Sequence, residues 1–226
     1  MFEAAAIHER TIEVRTHGRY LVAAPENASP RGIVIGCHGY AEQATLQMER
    51  LQKIAELADW LLVSVQGLHR FYRPRSQEVI ASWMTREDRE LALSDNSAFV
   101  AAVVDAVVRE WPVSGPLVFT GFSQGAAMAF RAACVTARPV AAVIALGGDI
   151  PPELDRDQLA RIPAVLLGRG DHDQWYSPEQ FAADQVRLRA AGVELTVVAF
   201  AAAHLWTPVF SDAVGSFLSR FRQPAF

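Results

Sequence analysis

The stretch Leu117-Val118-Phe119-Thr120-Gly121-Phe122-Ser123-Gln124-Gly125 decides the fold of this chain. Its first four residues are apolar or β-branched, as is typical of a strand buried on both faces. A segment with helical character, from Gln124 to Ala137, follows directly. Strand, Gly-x-Ser-x-Gly turn and helix in succession are the pattern of a nucleophile elbow, a tight turn that exposes a serine hydroxyl. We therefore interpret Ser123 as a candidate nucleophile rather than as a simple helix cap.

The alternation of strands and helices extends on both sides of this stretch. Strands that are apolar throughout and alternate with helices predict an α/β fold with a mostly parallel central sheet, flanked by helices on both faces. Further strands are predicted at 32–37, 60–65, 140–146, 164–167 and 195–200, and further helices near 46–59, 95–111, 179–191 and 207–221. No linker divides the chain, so one domain over residues 1–226 without a separate cap is expected.

Two segments depart from this alternation. Ile12 to Arg15 and Tyr20 to Ala23 are short β-rich runs on either side of His17-Gly18, which predicts an N-terminal antiparallel hairpin. Gln66 to Arg89 is the least regular part of the chain and is interpreted as a long loop. A loop of this length inside a compact domain often has a functional role.

Composition excludes several classes of protein. The 226 residues are 51% hydrophobic and 20% charged, with a net charge of −4, which argues against disorder and against a nucleic-acid backbone as partner.

The longest clean apolar run, Val140 to Leu146, is far shorter than the about 20 residues that cross a bilayer. The first ten residues do not resemble a secretory signal, so a cytoplasmic location is expected. Cys37 and Cys134 are widely spaced and indicate buried thiols rather than a disulfide or zinc site.

A serine nucleophile needs a base, and the base needs an acid that orients it. With a serine elbow of this kind the acid and then the base follow the nucleophile along the chain. His204 lies in the loop after the last predicted strand and is the preferred base, whereas His172 lies in a turn between two aspartates. The acid is left open by position alone, because three aspartates follow predicted strands: Asp149, Asp171 and Asp173.

The tetrahedral oxyanion of such a reaction needs two backbone N–H donors. One is expected from Gln124, directly after the nucleophile, and the second from the loop Cys37-His38-Gly39-Tyr40-Ala41, where Tyr40 is our choice. His38 is interpreted as a buried ring that ties this loop to neighbouring backbone.

With these residues in place, the chain resembles the serine carboxylesterases and lysophospholipases that include the acyl-protein thioesterases, within the α/β-hydrolase fold. The matching segments are His38-Gly39, the Gly121–Gly125 elbow, the loop 170–173 and His204. The resemblance implies hydrolysis of small-molecule carboxylic esters or thioesters through an acyl-enzyme, without metal or cofactor. It implies Ser123 as nucleophile, Asp173 as acid and His204 as base, and thereby selects Asp173 among the aspartates; Tyr40 and Gln124 are implied as oxyanion donors.

The chain departs from the family pattern around the substrate pocket. Ala41 stands where the family has the second glycine of His-Gly-x-Gly, and Gln174-Trp175-Tyr176 follow the acid where a small apolar pair is common. Large aromatics near these segments suggest a shortened or rearranged pocket, and the predicted lining is Phe71, Tyr72, Trp83, Trp175 and Trp206. Whether Arg70, Arg73 and Arg75 bind substrate is left open.

Two questions of function and one of oligomeric state stay open at this point. The enzyme can be a lysophospholipase or an acyl-protein thioesterase rather than a general carboxylesterase. A hydrolase-fold protein that binds a small apolar ligand without turnover is the alternative of another class. The sequence does not decide between a monomer and a homodimer.

Overall fold

A computed structural model describes residues 6–26 and 29–221 of the chain. Its strands are β1 (Arg19–Ala23), β2 (Ile33–Cys37), β3 (Leu61–Gln66), β4 (His69–Tyr72), β5 (Val79–Ser82), β6 (Leu117–Phe122), β7 (Ala142–Leu146), β8 (Ala164–Gly170) and β9 (Glu194–Phe200). Its α-helices are α1 (Ala44–Gln52), α2 (Arg89–Glu110), α3 (Gln124–Val135), α4 (Arg156–Leu159), α5 (Pro178–Ala190) and α6 (Pro208–Leu218).

Seven strands form one sheet in the order β1-β3-β2-β6-β7-β8-β9. All neighbours from β3 to β9 pair in parallel, and only β1 is antiparallel to its neighbour β3. The strands β2, β3, β6, β7 and β8 are buried along their whole length, which explains their continuous apolar sequences. The predicted α/β-hydrolase fold, with a mostly parallel sheet, is confirmed.

Helices cover both faces of this sheet, and each face has its own hydrophobic core. Side chains of α1 and α6, such as Leu51 and Phe210, pack on one face. Side chains of α2, α3 and α5, such as Val103, Phe130 and Leu188, pack on the other. Because parallel strands end at the same edge of the sheet, the loops after β2, β6, β8 and β9 meet there.

Helix α2 is the one helix among the described residues that is long and apolar enough to cross a membrane by length and composition. Its apolar run is interrupted in the sequence by Asp95, Asn96 and Asp105, so no membrane span is predicted from continuous apolar residues. Val100, Val103 and other side chains of one side of α2 are buried in the core beneath the sheet. In this fold α2 therefore serves as a core helix.

The predicted antiparallel pairing at the N-terminus is present, but the partner differs from the prediction. Strand β1 pairs with β3, with Arg19 opposite Gln66 and Ala23 opposite Leu62. Ile12 to Arg15 form no strand, and Ile12 is 87% exposed. Alternating apolar residues predict a strand only where a neighbouring strand and a core accept them, and here neither does.

The segment from Gln66 to Arg89 is more regular than predicted. It contains the antiparallel hairpin β4–β5, with Phe71 opposite Ile80. Arg73 closes the turn, since its backbone N–H donates to the Glu78 carbonyl at 2.8 Å and its guanidinium pairs with the Glu78 carboxylate. The charged residues of this hairpin masked the period-two pattern in the sequence.

Candidate active site

Ser123 lies at the turn between β6 and α3. Its backbone angles, φ 54° and ψ −124°, are in a region that L-residues rarely adopt. Gly121 and Gly125 make this turn possible by close approach: a Cβ on Gly121 would collide with the Gly125 carbonyl, and one on Gly125 with the carbonyls of Cys37 and His38. The elbow therefore requires both glycines, and it presents Ser123 to a cleft at the strand ends.

His204 and Asp173 meet in the same place. The Nδ1 atom of His204 lies 2.8 Å from Oδ2 of Asp173. The Asp173 side chain is only 1% exposed, while that of His204 is 19% exposed. With Nδ1 directed at the carboxylate, Nε2 is the ring nitrogen left to exchange a proton with a serine hydroxyl.

Backbone amides hold the second oxygen of the Asp173 carboxylate. Oδ1 accepts from the N–H of Trp175 at 2.8 Å and from that of Tyr176 at 3.0 Å. These two donated hydrogen bonds fix the orientation of the carboxylate.

The other sequence candidates for base and acid lie apart from this arrangement. Asp149, Asp171 and His172 are all exposed. The structure thus brings Ser123, Asp173 and His204 together at the sheet edge, and it leaves the competing residues in solvent-facing turns.

A buried network behind the acid loop was missed by the sequence analysis. Arg169 is 6% exposed; its Nε donates to the Tyr176 carbonyl at 2.7 Å, and its Nη2 to the Asp173 carbonyl at 3.1 Å. The Tyr176 hydroxyl donates to Asp184 at 2.8 Å, and burial raises the pKa of both Tyr176 and Asp184. Nothing in the local sequence links these positions, because the contacts join a strand, a loop and α5.

His38 supports the loop after β2. The ring is completely buried; its Nε2 accepts from the Gly67 N–H at 3.0 Å and its Nδ1 lies 2.7 Å from the Gly39 carbonyl. A neutral ring protonated on Nδ1 satisfies both contacts. Burial lowers the pKa of His38, which favours this neutral form. The ring thus ties the loop to neighbouring backbone, as its sequence context indicated.

The buried His38 makes acid conditions destabilising. Its pKa is lowered in the folded chain, so its contribution is complete above the unfolded value of about 6.5 and is lost as the pH falls toward the folded value. We expect the free energy of unfolding to decrease below about pH 6.5 by at most about 1.4 kcal/mol per pH unit from this group.

Denaturant unfolding of the wild type and of His38→Gln, at several pH values between about 7 and 5, measures this loss. Glutamine offers an acceptor and a donor but does not titrate, so its curve should be flatter. Parallel pH dependence in the two proteins would contradict the assignment.

Two amides near Ser123 are free to act as oxyanion donors. Within residues 6–26 and 29–221, the N–H groups of Tyr40 and Gln124 donate to no protein acceptor. The neighbouring Gly39 N–H is occupied, because it donates to the Glu42 carboxylate at 2.8 Å. The Gln124 side chain is occupied as well, since its Oε1 accepts from the Trp83 N–H at 2.9 Å.

The cleft above Ser123 has a volume of about 440 Å³ and a mixed polar and aromatic lining. It is lined by Gly39, Tyr40, Glu42, Phe122, Ser123, Trp175 and His204. Two of the aromatic side chains, Tyr40 and Trp175, are 60% and 81% exposed. The cleft is therefore open to solvent.

The five aromatic residues that were predicted to line the pocket lie in different parts of the structure. Of the five, only Trp175 lines the cleft. Phe71 packs against Tyr40, with 5.9 Å between the two ring centroids. Trp83 is instead buried, with its Nε1 donating to the His38 carbonyl at 2.8 Å. Tyr72 is exposed on the β4–β5 hairpin, and Trp206 lines a separate cavity.

The three loop arginines lie outside the lining of the cleft. Arg70 donates to the His17 carbonyl at 3.2 Å, and Arg73 to the Ala41 carbonyl at 2.9 Å. Arg75 is exposed. Among the residues that the structure describes, no group of three or more His, Cys, Asp or Glu side chains is placed to hold a metal ion.

Comparisons with known proteins identify a family and a fold. A family described as phospholipase/carboxylesterase matches residues 18–220. A search of curated protein sequences gives no match. The structure of esterase PE8 is similar, with a TM-score of 0.72 and 22% identity, over 91% of this chain and 99% of that one.

Two further solved structures have the same fold. The Bacillus cereus carboxylesterase has a TM-score of 0.70 and 14% identity, over 91% of this chain and 95% of that chain. Zea mays acyl-protein thioesterase 2 has a TM-score of 0.70 and 20% identity, over 90% and 99%. At these identities the structural likeness defines the fold.

Proposed function

Since the chain belongs to the phospholipase/carboxylesterase family, we propose that it hydrolyses small-molecule carboxylic esters with Ser123 as nucleophile, His204 as base and Asp173 as orienting acid. Esterases and a thioesterase of the same fold support ester-bond hydrolysis as the reaction class. The single observation that carries the residue roles is the 2.8 Å contact between His204 Nδ1 and Asp173 Oδ2, in a cleft that also contains Ser123.

The reaction proceeds in two halves. The Ser123 hydroxyl attacks the ester carbonyl while His204 takes its proton, and the negative oxygen of the tetrahedral intermediate accepts from the Tyr40 and Gln124 amides. Collapse breaks the ester C–O bond, and His204 protonates the departing alcohol. Water then attacks the acyl-enzyme with His204 again as base, which releases the carboxylic acid and restores Ser123.

Backbone geometry supports the role of Tyr40 as second oxyanion donor. The Gly39 N–H is bound to Glu42, so Tyr40 carries the next amide of the loop, and this amide donates to no acceptor in the part of the chain that the structure describes. Ala41, at φ 57°, turns the loop immediately after it. The turn therefore forms with alanine at the position of the family glycine, in a conformation that glycine adopts more readily.

We assign all these roles to one domain over the whole chain and place the protein in the cytoplasm. The residues concerned come from loops after β2, β6, β8 and β9 of one sheet. A monomer and a homodimer both accommodate this site, since it is built from one copy of the chain.

A series of p-nitrophenyl esters from acetate to palmitate tests the function and its substrate range. A cleft of about 440 Å³, in the range of small-ligand pockets, predicts the highest kcat/KM for short acyl chains. Activity that rises through the long chains would favour a lysophospholipase or an acyl-protein thioesterase. Absence of hydrolysis throughout the series, with binding of a small apolar ligand, would instead favour the non-catalytic alternative.

A further inference from the structure

The side chain of Arg50 contacts residues of three of the four segments that carry the proposed reaction. Its guanidinium binds both oxygens of Glu42, with Nη1–Oε2 and Nη2–Oε1 distances of 2.7 Å. It also lies 4.7 Å from the ring centroid of Phe122 and 5.8 Å from that of Trp206. Glu42 follows the loop of residues 37–41, called the oxyanion loop here because it carries the Tyr40 amide. Phe122 precedes the nucleophile, and Trp206 lies two residues after the base.

Glu42 connects Arg50 to the backbone of the oxyanion loop. Its Oε2 accepts from the Gly39 N–H at 2.8 Å while it is bound by Arg50. Both side chains are largely buried, with 16% exposure for Glu42 and 14% for Arg50. A bidentate ion pair with these short distances fixes the orientation of the Glu42 carboxylate and balances its charge.

The loop needs such a support because its backbone is strained. Ala41 is at φ 57°, a conformation that residues with a side chain rarely adopt. The Ala41 N–H and the Glu42 carbonyl are bound to Ala81 of β5, at 3.0 and 2.9 Å. Those bonds hold the loop at Ala41 and Glu42, and the Glu42–Arg50 pair holds it at Gly39, which lines the same cleft as Ser123.

We propose that Glu42 and Arg50 are positioning residues that fix the Tyr40 amide relative to Ser123 and His204. This inference rests on the proposed function and extends it to two residues outside the triad. Arg50 has a second effect: Glu42 lines the cleft, where its carboxylate would repel the oxyanion unless the guanidinium neutralised it. Removal of Arg50 alone therefore exposes an unpaired negative charge to the reacting atoms.

This double role predicts an unusual order of activities. Arg50→Gln should lower kcat by about tenfold or more while KM changes by less than about threefold, because the oxyanion forms only in the transition state. The double variant Glu42→Gln/Arg50→Gln should be faster than Arg50→Gln alone, since the amide oxygen introduced by Glu42→Gln still accepts from the Gly39 N–H and no unpaired charge remains. Arg50→Lys should recover only part of the activity, because an ammonium cannot bind both oxygens in one plane.

Kinetics with p-nitrophenyl acetate and thermal unfolding of each variant test the proposal. The matched control is Arg131→Gln, which breaks the pair of Arg131 with Glu153, also at 2.7 Å but on α3 and outside the lining of the cleft. Its kcat should stay within about twofold of wild type. If Arg50→Gln does not fold, Glu42→Ala replaces it, since that change frees the Gly39 N–H.

Two results would overturn the inference: a folded Arg50→Gln protein with kcat within about threefold of wild type, or a double variant slower than Arg50→Gln. Failure of the proposed function is a separate outcome, in which the wild type itself hydrolyses no ester. In that case the positioning role of Glu42 and Arg50 is tested by hydrogen exchange of the Gly39 amide alone. Faster exchange in Arg50→Gln than in wild type and Arg131→Gln supports the positioning role, and unchanged exchange refutes it.

Discussion

Replacing Ser123 with alanine should reduce kcat/KM for p-nitrophenyl esters by roughly 10⁴-fold or more. Without the hydroxyl no acyl-enzyme forms, and only the oxyanion donors and substrate binding remain to assist water. The fold should persist, because the change removes one oxygen and no hydrogen bond in which the hydroxyl takes part within the described residues. A thermal unfolding midpoint close to that of wild type is expected.

A fluorophosphonate probe gives the sharpest measurement of this change. Intact-mass analysis should find one adduct on the wild type, peptide mapping should place it on Ser123, and Ser123→Ala should carry none. Ser216→Ala is a suitable control, since Ser216 is exposed on α6. An adduct on Ser123→Ala, or hydrolysis within about tenfold of wild type, would exclude Ser123 as nucleophile.

The sequence predicts the framework of this protein because that information is local. Continuous apolar runs mark strands buried on both faces, as in β6 and β7, and the glycines of 121–125 mark a turn where the backbone approaches its neighbours. The family and its reaction class follow from the same motifs. The roles of individual residues in the site remain predictions until the variants are measured.

What the sequence does not reveal is pairing between distant residues. Strand β1 pairs with β3 because the sheet offers an edge there, and the alternating run near Ile12 has no such neighbour. The packing partners of aromatic residues are equally hard to predict from the sequence. Trp83 is adjacent to the irregular segment in sequence, yet its partner is the His38 carbonyl in the core. Trp175 therefore lines the cleft, whereas Trp83 and Trp206 do not.

The supports of the site are hidden for another reason, because no local sequence pattern indicates which acceptors a buried guanidinium binds. Arg50 lies in a helix whose local sequence indicates only an amphipathic surface, and Arg169 lies at the end of a buried strand. Arg50 binds Glu42 only eight residues away, yet its guanidinium also lies over the rings of Phe122 and Trp206, which are distant in sequence. Arg169 donates to the carbonyls of Asp173 and Tyr176, which are near in sequence but which no local pattern marks as acceptors. Single-sequence patterns identify the residues that do the chemistry more readily than those that hold them.

Replacing Asp173 with asparagine should lower kcat by about 10³- to 10⁴-fold with little loss of stability. The amide oxygen can take over the bonds from Trp175 and Tyr176, so the loop keeps its backbone contacts. The amide NH₂ then faces His204 Nδ1, which must become an acceptor. The ring proton moves to Nε2, the nitrogen that has to accept the proton of Ser123, and the base is lost.

Asp171→Asn is the matched control for this change, because Asp171 is exposed two residues away in the same loop. Its kcat should stay within about twofold of wild type, since a surface carboxylate in solvent contributes little. A ¹H NMR spectrum adds a readout independent of turnover: the Nδ1 proton of His204, bound to a buried carboxylate, should give a far-downfield resonance that Asp173→Asn removes. Equal losses of kcat in both variants would assign the effect to the loop rather than to the contact between His204 and Asp173. Loss in Asp171→Asn alone would transfer the role of the acid to Asp171, against the burial and hydrogen bonding of the two side chains.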